Sequence, residues 1–383
     1  MSPLVSSQPP ATHLPSAPAL PLDARLRRVE EVFDRALQSD LPPVQRLVSH
    51  LETYRGKMLR PSLVLLSGLA AAESAPPSSP RRSPAPSLPT DAHITIAAVC
   101  EMIHMATLVH DDVLDEADIR RQGATVNRLN GNEAAVVLGD YVFSAAYRLC
   151  STLDSQQAAL LIGQTGMTLC AGELLQLAHR QNFSIDEPTY FEIVKRKTGS
   201  LIAIACRLGA MQSLAPGYHH APRGASSSPP SPLPTSDLDL LDRFELFGLK
   251  LGIAFQIQDD LLDLAGDQGI VGKPLRKDAS LGKLTLPVIH HLATAPPQRR
   301  GGTLLLLEDF SSWGGAGGSS ATAGAGAART LLEALESTRS IDHAHSAAKR
   351  LVSEAKALLA DIPDSPAKHT LLHMADQVVT RAS

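Results

Sequence analysis

The sequence predicts an all-α protein, and three observations carry that prediction. Apolar residues recur at helical spacing along most of the chain. The alternating Thr/Tyr/Val/Ile runs that mark strands are almost missing, and aromatics make up only 4%. Two acidic triplets, in LVHDDVLD and QIQDDLLD, sit inside apolar stretches of helical character. Several segments are apolar on most sides, as the central helices of a large bundle are.

Taken in order, the first 22 residues are rich in Pro, Ser and Ala and read as a disordered tail, and residues 23–383 read as a single all-α domain. From Asp23 onward, Leu26, Val29, Val32, Phe33 and Leu37 form one stripe. Further helical segments are expected at 44–54, 59–73, 91–116, 131–152, 154–180, 187–212, 238–264, 283–293, 328–339, 343–361 and 364–382. Residues 74–90 and 215–236 are rich in Pro and Ser, and 311–327 are rich in Gly, Ala and Ser. These three are expected to be flexible loops within one domain, since a chemistry that needs both acidic triplets needs them in one fold.

Composition excludes several classes. With 44% hydrophobic and 19% charged residues the chain can fill a core, so global disorder is excluded. A net charge of −4 argues against non-specific nucleic-acid binding. Cys100, Cys150, Cys170 and Cys206 are widely spaced, which fits a reducing compartment and indicates neither a zinc site nor a disulfide scaffold. No apolar stretch is read as long enough to span a membrane, and the N-terminal segment matches no secretory or transit signal, so a cytoplasmic location is expected.

The triplets carry the chemistry. In each, the first and last carboxylates are i and i+4 and share a helix face, about one turn apart. His104, Leu108, Asp111 and Asp115 line up on one face, whereas Asp112 points away. Carboxylates in apolar surroundings need cations, and hard oxygen donors of this kind suit Mg²⁺ held jointly with substrate phosphates. Basic groups complement them. Arg120–Arg121 follow the first triplet, and GKMLRP places Lys57 and Arg60 at a helix start that favours an anion. KRKTG adds Lys197 and Thr198, Gln256 lies one turn before Asp259, and Lys273 and Lys283 sit in Gly-punctuated loops.

The ordered set GKxxRP, DDxxD followed by RR, GD at 139–140, KTG, FQxxDDxxD and GKxTLP closely resembles the trans-isoprenyl diphosphate synthases, or polyprenyl synthetases, from about residue 25 to Arg381. That resemblance implies helices surrounding a deep central cavity, with the aspartate motifs facing each other across its mouth, and a homodimer. It implies a catalytic set of Asp111, Asp112, Asp115, Asp259, Asp260, Asp263 and Lys197, with Asp111, Asp115 and Asp259 as Mg²⁺ ligands. Lys57, Arg60, His104 and Arg121 would bind isopentenyl diphosphate. Arg120, Lys197, Thr198, Gln256 and Lys273, with Lys283, would contact the allylic diphosphate.

The implied reaction is head-to-tail condensation of isopentenyl diphosphate with an allylic diphosphate. Ile103, Ala106 and Thr107 lie about one to two turns below Asp111 and are not bulky aromatics, so a growing tail is expected to pass. Together with GELLQ at 172–176, which resembles long-chain members, this predicts a long all-trans product of the kind used for quinone side chains. The rivals are a short-chain synthase making farnesyl or geranylgeranyl diphosphate, a head-to-head synthase or terpene cyclase, and a non-catalytic subunit of a heteromeric synthase.

Overall fold

The computed structural model describes residues 22–74, 89–121, 123–214, 235–265, 278, 281–313 and 321–380. In chain order the helices are α1 (Leu22–Leu37), α2 (Pro42–His50), α3 (Leu59–Glu73), α4 (Asp91–Leu114), α5 (Val126–Cys150), α6 (Gln156–Ala178), α7 (Glu187–Val194), α8 (Ser200–Leu214), α9 (Thr235–Ala265), α10 (Leu286–Thr294), α11 (Pro297–Trp313), α12 (Ala321–Ser337), α13 (Ser340–Leu358) and α14 (Pro366–Thr380). Among the described residues the only strands are Ile119–Arg120 and Gly123–Ala124, an antiparallel pair.

Helix α4 is the spine. It starts with a capping box, Thr90 with His93, and its interior positions, from Ile94 to Val109, are almost wholly buried. Helices α3, α5 and α8 pack around it, α9 packs on α8, and α13 lies along α9. Burying each Leu, Ile or Val of this core contributes about 1.5–3 kcal/mol before entropy is charged. Close approach of α8 and α9 depends on glycine: a Cβ on Gly248 would lie 2.5 Å from the Ile202 carbonyl oxygen, and one on Gly252 would meet Gly199 Cα at 2.9 Å. That close packing brings the start of α8 against the half of α9 that carries the second triplet.

Several expectations need correction. A helix at 297–313 was not expected, because the Gly301–Gly302 pair disfavours one; Pro297 at its first position is compatible with helix. The expected loop at 311–327 is helical at 311–313 and 321–327, where alanine at every other position from 321 to 327 has high helix propensity. The loops at 74–90 and 215–236 lie mostly outside the described residues, as does the N-terminal tail up to residue 21. Helix α5 begins before the expected residue 131, and Gly131 interrupts it with a φ of 84°. Two helices, α4 and α6, are long and apolar enough to cross a membrane. The apolar window of α4 is 72% buried, as befits a core helix, whereas that of α6 is only 33% buried.

Candidate active site

Each triplet divides its labour between outer and inner carboxylates. Asp111 and Asp115, at the end of α4, are partly exposed, and both meet cations. Lys197 Nζ lies 3.5 Å from Asp111 Oδ1, and Lys283 Nζ lies 2.6 Å from Asp115 Oδ1. Asp112 is turned inward and buried, where Arg120 Nη2 approaches Oδ1 at 2.7 Å and Arg120 Nε donates to both carboxylate oxygens at 2.9 and 3.0 Å. In α9, Asp259 is exposed, Asp263 half-buried and Asp260 buried. Asp260 accepts from the Tyr190 hydroxyl at 2.6 Å and from Gln256 Nε2 at 2.8 Å. Burial, reinforced by Asp278, pushes the Asp260 carboxyl up to about 8, and the two donated hydrogen bonds oppose this without cancelling it.

Placing Asp112 and Asp260 inside the protein sets both apart from the other members of the expected catalytic set. It also commits Arg120, expected on the allylic diphosphate, to an ion pair. The i, i+1 relation explains the split, because neighbouring helical residues point about 100° apart.

The two triplets are joined by a π-helical turn, Lys195–Gly199, between α7 and α8. Lys197 reaches α4 through Asp111 and α6 through Glu173 and Gln176, the latter at 3.1 Å. The next residue, Thr198, donates to Gln256 Oε1 of α9 at 2.8 Å. Consecutive side chains therefore tie the first motif to the second. Gly172 permits the approach of α6, since a Cβ there would lie 2.8 Å from the Lys197 amide nitrogen. Burial would lower the Lys197 ammonium, but Asp111 and Glu173 outweigh it and hold it raised. Burial pushes Asp111 up, Lys197 pulls it down, and Glu173 and Asp115 add to the rise. Such a site stabilises the addition of positive charge.

On the other flank lies GKMLRP. Lys57 is exposed, and Arg60 at the start of α3 is largely buried, with its Nε lacking a hydrogen-bond partner. Burial lowers the Arg60 guanidinium, while the carboxylates of Glu101 and Asp259 favour its ionised form, which links the GKxxRP motif to the second triplet. Arg121, at φ 56°, swings its guanidinium over Gly56, where a Cβ would lie 2.6 Å from Nη2. Burial, with Arg60, Arg120 and Arg121 nearby, holds His104 well below its usual value, so its imidazole is neutral. Gly139 and Asp140 have a simpler role. The glycine makes room for the His110 ring, whose Nε2 lies 3.1 Å from the Val136 carbonyl and 3.4 Å from Asp140.

Of the remaining expected residues, Thr107 is half-buried and donates to the His104 carbonyl at 2.8 Å, whereas Ile103 and Ala106 are packed into the core at 0% and 1% exposure. Lys273 lies outside the described residues. Four residues given no site role by the sequence also belong here: Glu173 and Gln176, which contact Lys197, Tyr190, which contacts Asp260, and Arg180, which contacts Asp115. Glu173 and Gln176 lie within GELLQ, a pattern that bore only on product length, and nothing local marks Tyr190 or Arg180, which act across long separations.

The donors fit a divalent cation. Asp111 and Asp115 present hard oxygens one helical turn apart, already surrounded by cationic groups. Among the described residues no group of three His, Cys, Asp or Glu side chains is placed to hold an ion. Two carboxylates one turn apart, as Asp111 and Asp115 are, suit a metal shared with a phosphorylated substrate.

Residues 42–310 match the polyprenyl synthetase family model. The chain belongs to the polyprenyl synthetase family. It is 33% identical over 268 residues to heptaprenyl diphosphate synthase component 2 of Geobacillus stearothermophilus, covering 70% of this chain and 72% of that one. A decaprenyl diphosphate synthase from Rhodobacter capsulatus superposes with a TM-score of 0.77 at 27% identity, covering 95% of this chain and 98% of that one. A polyprenyl synthase from Caulobacter crescentus, complexed with calcium and isoprenyl diphosphate, gives 0.75 at 26% identity, with 94% and 96% covered. The chain is thus a prenyltransferase with the isoprenoid synthase fold, and its family is metal-dependent and acts on isoprenyl diphosphates.

Proposed function

We propose that this member of the family condenses isopentenyl diphosphate with an allylic diphosphate, using Mg²⁺, to make a long-chain all-trans polyprenyl diphosphate for a quinone side chain. The observation that carries this reading is the turn in which Lys197 meets Asp111 and Thr198 meets Gln256, four residues before Asp260.

Asp111, Asp115 and Asp259 would hold the metal, which supplies Lewis-acid stabilisation of the departing diphosphate. Lys197 and Lys283 place further positive charge where negative charge grows on the leaving oxygens, and such charge is worth most in the transition state. Lys57, Arg60 and Arg121 orient isopentenyl diphosphate so that its double bond faces the allylic carbon, while neutral His104 offers a hydrogen bond rather than a charge. The apolar neighbours Leu108 and Val109 exclude the water that would quench an allylic cation. Bond formation leaves a cation on the isopentenyl unit; a proton is then lost from the adjacent carbon to form the new double bond, and the released diphosphate takes it.

The long product is supported by the lack of a bulky side chain at Thr107 and by the similarity to the heptaprenyl and decaprenyl diphosphate synthases above. A homodimer is supported by Leu160, Met167 and Leu174, which repeat every seventh residue along α6 at 53, 75 and 66% exposure. Incubation with labelled isopentenyl diphosphate, allylic primers of several lengths and Mg²⁺, followed by sizing of the dephosphorylated alcohols, tests the reading. Products no longer than geranylgeraniol would favour the short-chain alternative, and binding without turnover would favour a non-catalytic subunit.

A further inference from the structure

The connection between α6 and α7 reaches the mouth of the site through one side chain. Arg180 Nη2 donates to the Leu114 carbonyl at 3.0 Å, at the C-terminal end of α4, and to Asp115 Oδ1 at 3.1 Å. The first contact suits a cation at a helix C-terminus. The second places Arg180 on the same carboxylate oxygen that Lys283 approaches at 2.6 Å. The two cations come from loops that are themselves joined. The Gln181 amide donates to the Gly282 carbonyl at 2.9 Å, and both residues have positive φ, 58° and 68°. Two successive residues, Arg180–Gln181, thus grip Asp115 and the backbone beside Lys283.

One carboxylate oxygen cannot serve two cations and a divalent ion equally well. A metal at Asp115 competes with Arg180 and Lys283 for Oδ1, and cations released there face whatever anion the metal brings. The Arg180 Nε is buried and has no hydrogen-bond partner, so the guanidinium is not fully satisfied where it lies, while Nη2 is anchored on Leu114. Nη2 carries two N–H bonds, so it can stay on Leu114 with one while the other turns from Asp115 to a phosphate oxygen, a geometry a guanidinium suits.

We infer that Arg180 is a diphosphate-binding residue that exchanges Asp115 for the allylic diphosphate when metal and substrate enter. This rests on the proposed function only for the identity of the substrate. The exchange makes an unusual demand: removing Arg180 must move metal and diphosphate affinities in opposite directions.

Calorimetric titration of the full-length chain and of Arg180→Gln tests it, with Mg²⁺ alone and then with inorganic diphosphate at saturating Mg²⁺. The variant should bind Mg²⁺ alone several-fold more tightly, having lost a competing cation. It should bind diphosphate on the order of tenfold more weakly, having lost a charge-assisted hydrogen bond. Arg180→Lys, which keeps the charge without the fork, should fall between, and it serves alone if the glutamine variant does not fold. Parallel weakening of both ligands with a lowered melting temperature would make Arg180 a structural clamp of α4 and overturn the inference, as would unchanged affinities. If the wild-type chain elongates no isoprenyl diphosphate, the function proposed above fails, but these titrations still decide the role of Arg180.

Discussion

The Tyr190 hydroxyl donates to Asp260 Oδ2 across 2.6 Å, joining residues seventy positions apart in the chain. Tyr190 lies one turn before the π-helical segment and Asp260 is the middle aspartate of the second triplet. The bond therefore sets the register of α7 against α9, and with it the positions of Lys197 and Thr198. Tyr190→Phe leaves a buried carboxyl with one donor fewer, which should cost about 1–3 kcal/mol of stability. Turnover should fall on the order of tenfold as Lys197 loses alignment, by analogy with misplacement far from the reacting atoms. Urea denaturation and steady-state kinetics measure the two effects; unchanged kinetics would confine Tyr190 to a packing role.

Neighbouring aspartates of the first triplet should respond differently to alanine. Asp111 is partly exposed and faces Lys197, so Asp111→Ala should abolish turnover while circular dichroism shows unchanged helix content. Asp112 is buried and its loss leaves the partly buried Arg120 guanidinium unpaired. Breaking such a pair costs about 3–5 kcal/mol. Asp112→Ala should therefore lower the melting temperature markedly, and its turnover should be lost together with the fold. Equal melting temperatures for the two variants would contradict the inward assignment of Asp112.

The helices were legible because apolar periodicity is a local signal, and the i, i+4 spacing of the triplet by itself places Asp111 and Asp115 on one face. What periodicity could not convey was the inward turn of Asp260, which depends on Tyr190 and Gln256 meeting it across helices. Arg120 is similarly instructive. Its position after the triplet suggested a phosphate ligand, but the short antiparallel pair at Ile119–Arg120 folds it back on Asp112. The helix at 297–313 is not legible in the sequence because the Gly301–Gly302 pair lowers local propensity and tertiary packing overrides it.

Product length should be controlled at Thr107 more than at its companions. Thr107 is half-buried and within a turn of His104 and Asp111 on α4, whereas Ile103 and Ala106 are packed in the core. Thr107→Phe should shorten the product by several isoprene units at little cost in stability. Ala106→Phe should instead be poorly tolerated, since overpacking a filled core costs about 1–3 kcal/mol or more. Chromatography of the dephosphorylated alcohols reads the first effect and thermal melting the second. An unchanged product from Thr107→Phe would remove this position from the path of the tail.

The exposed repeat on α6 should hold two copies together. Met167 is 75% exposed in the single chain, and Leu160 and Leu174 flank it two turns away on either side. A lysine at Met167 places a charge at the centre of an apolar contact, where unpaired charges are costly. Met167→Lys should convert a dimer into a monomer in light scattering coupled to size exclusion, without loss of helix content. A wild-type chain that runs as a monomer would sink the homodimer.

Acid sensitivity should arise at His93, away from the active site. The ring is buried between Thr90, at 2.8 Å from Nδ1, and Ser213, at 3.0 Å from Nε2. Burial lowers its pKa from 6.5 to about 4, so the folded state favours the neutral ring. The unfolded chain therefore takes up a proton before the folded one does. The stability this group contributes is fully present above pH 6.5 and is lost as pH falls through about 4. The integrated loss is on the order of 3 kcal/mol. His93→Asn forfeits ring packing at every pH, which is a constant offset, but removes the titration. The difference in urea stability between wild type and variant should shrink steadily from pH 7 to pH 4, and a pH-independent difference would show that His93 titrates normally in the fold.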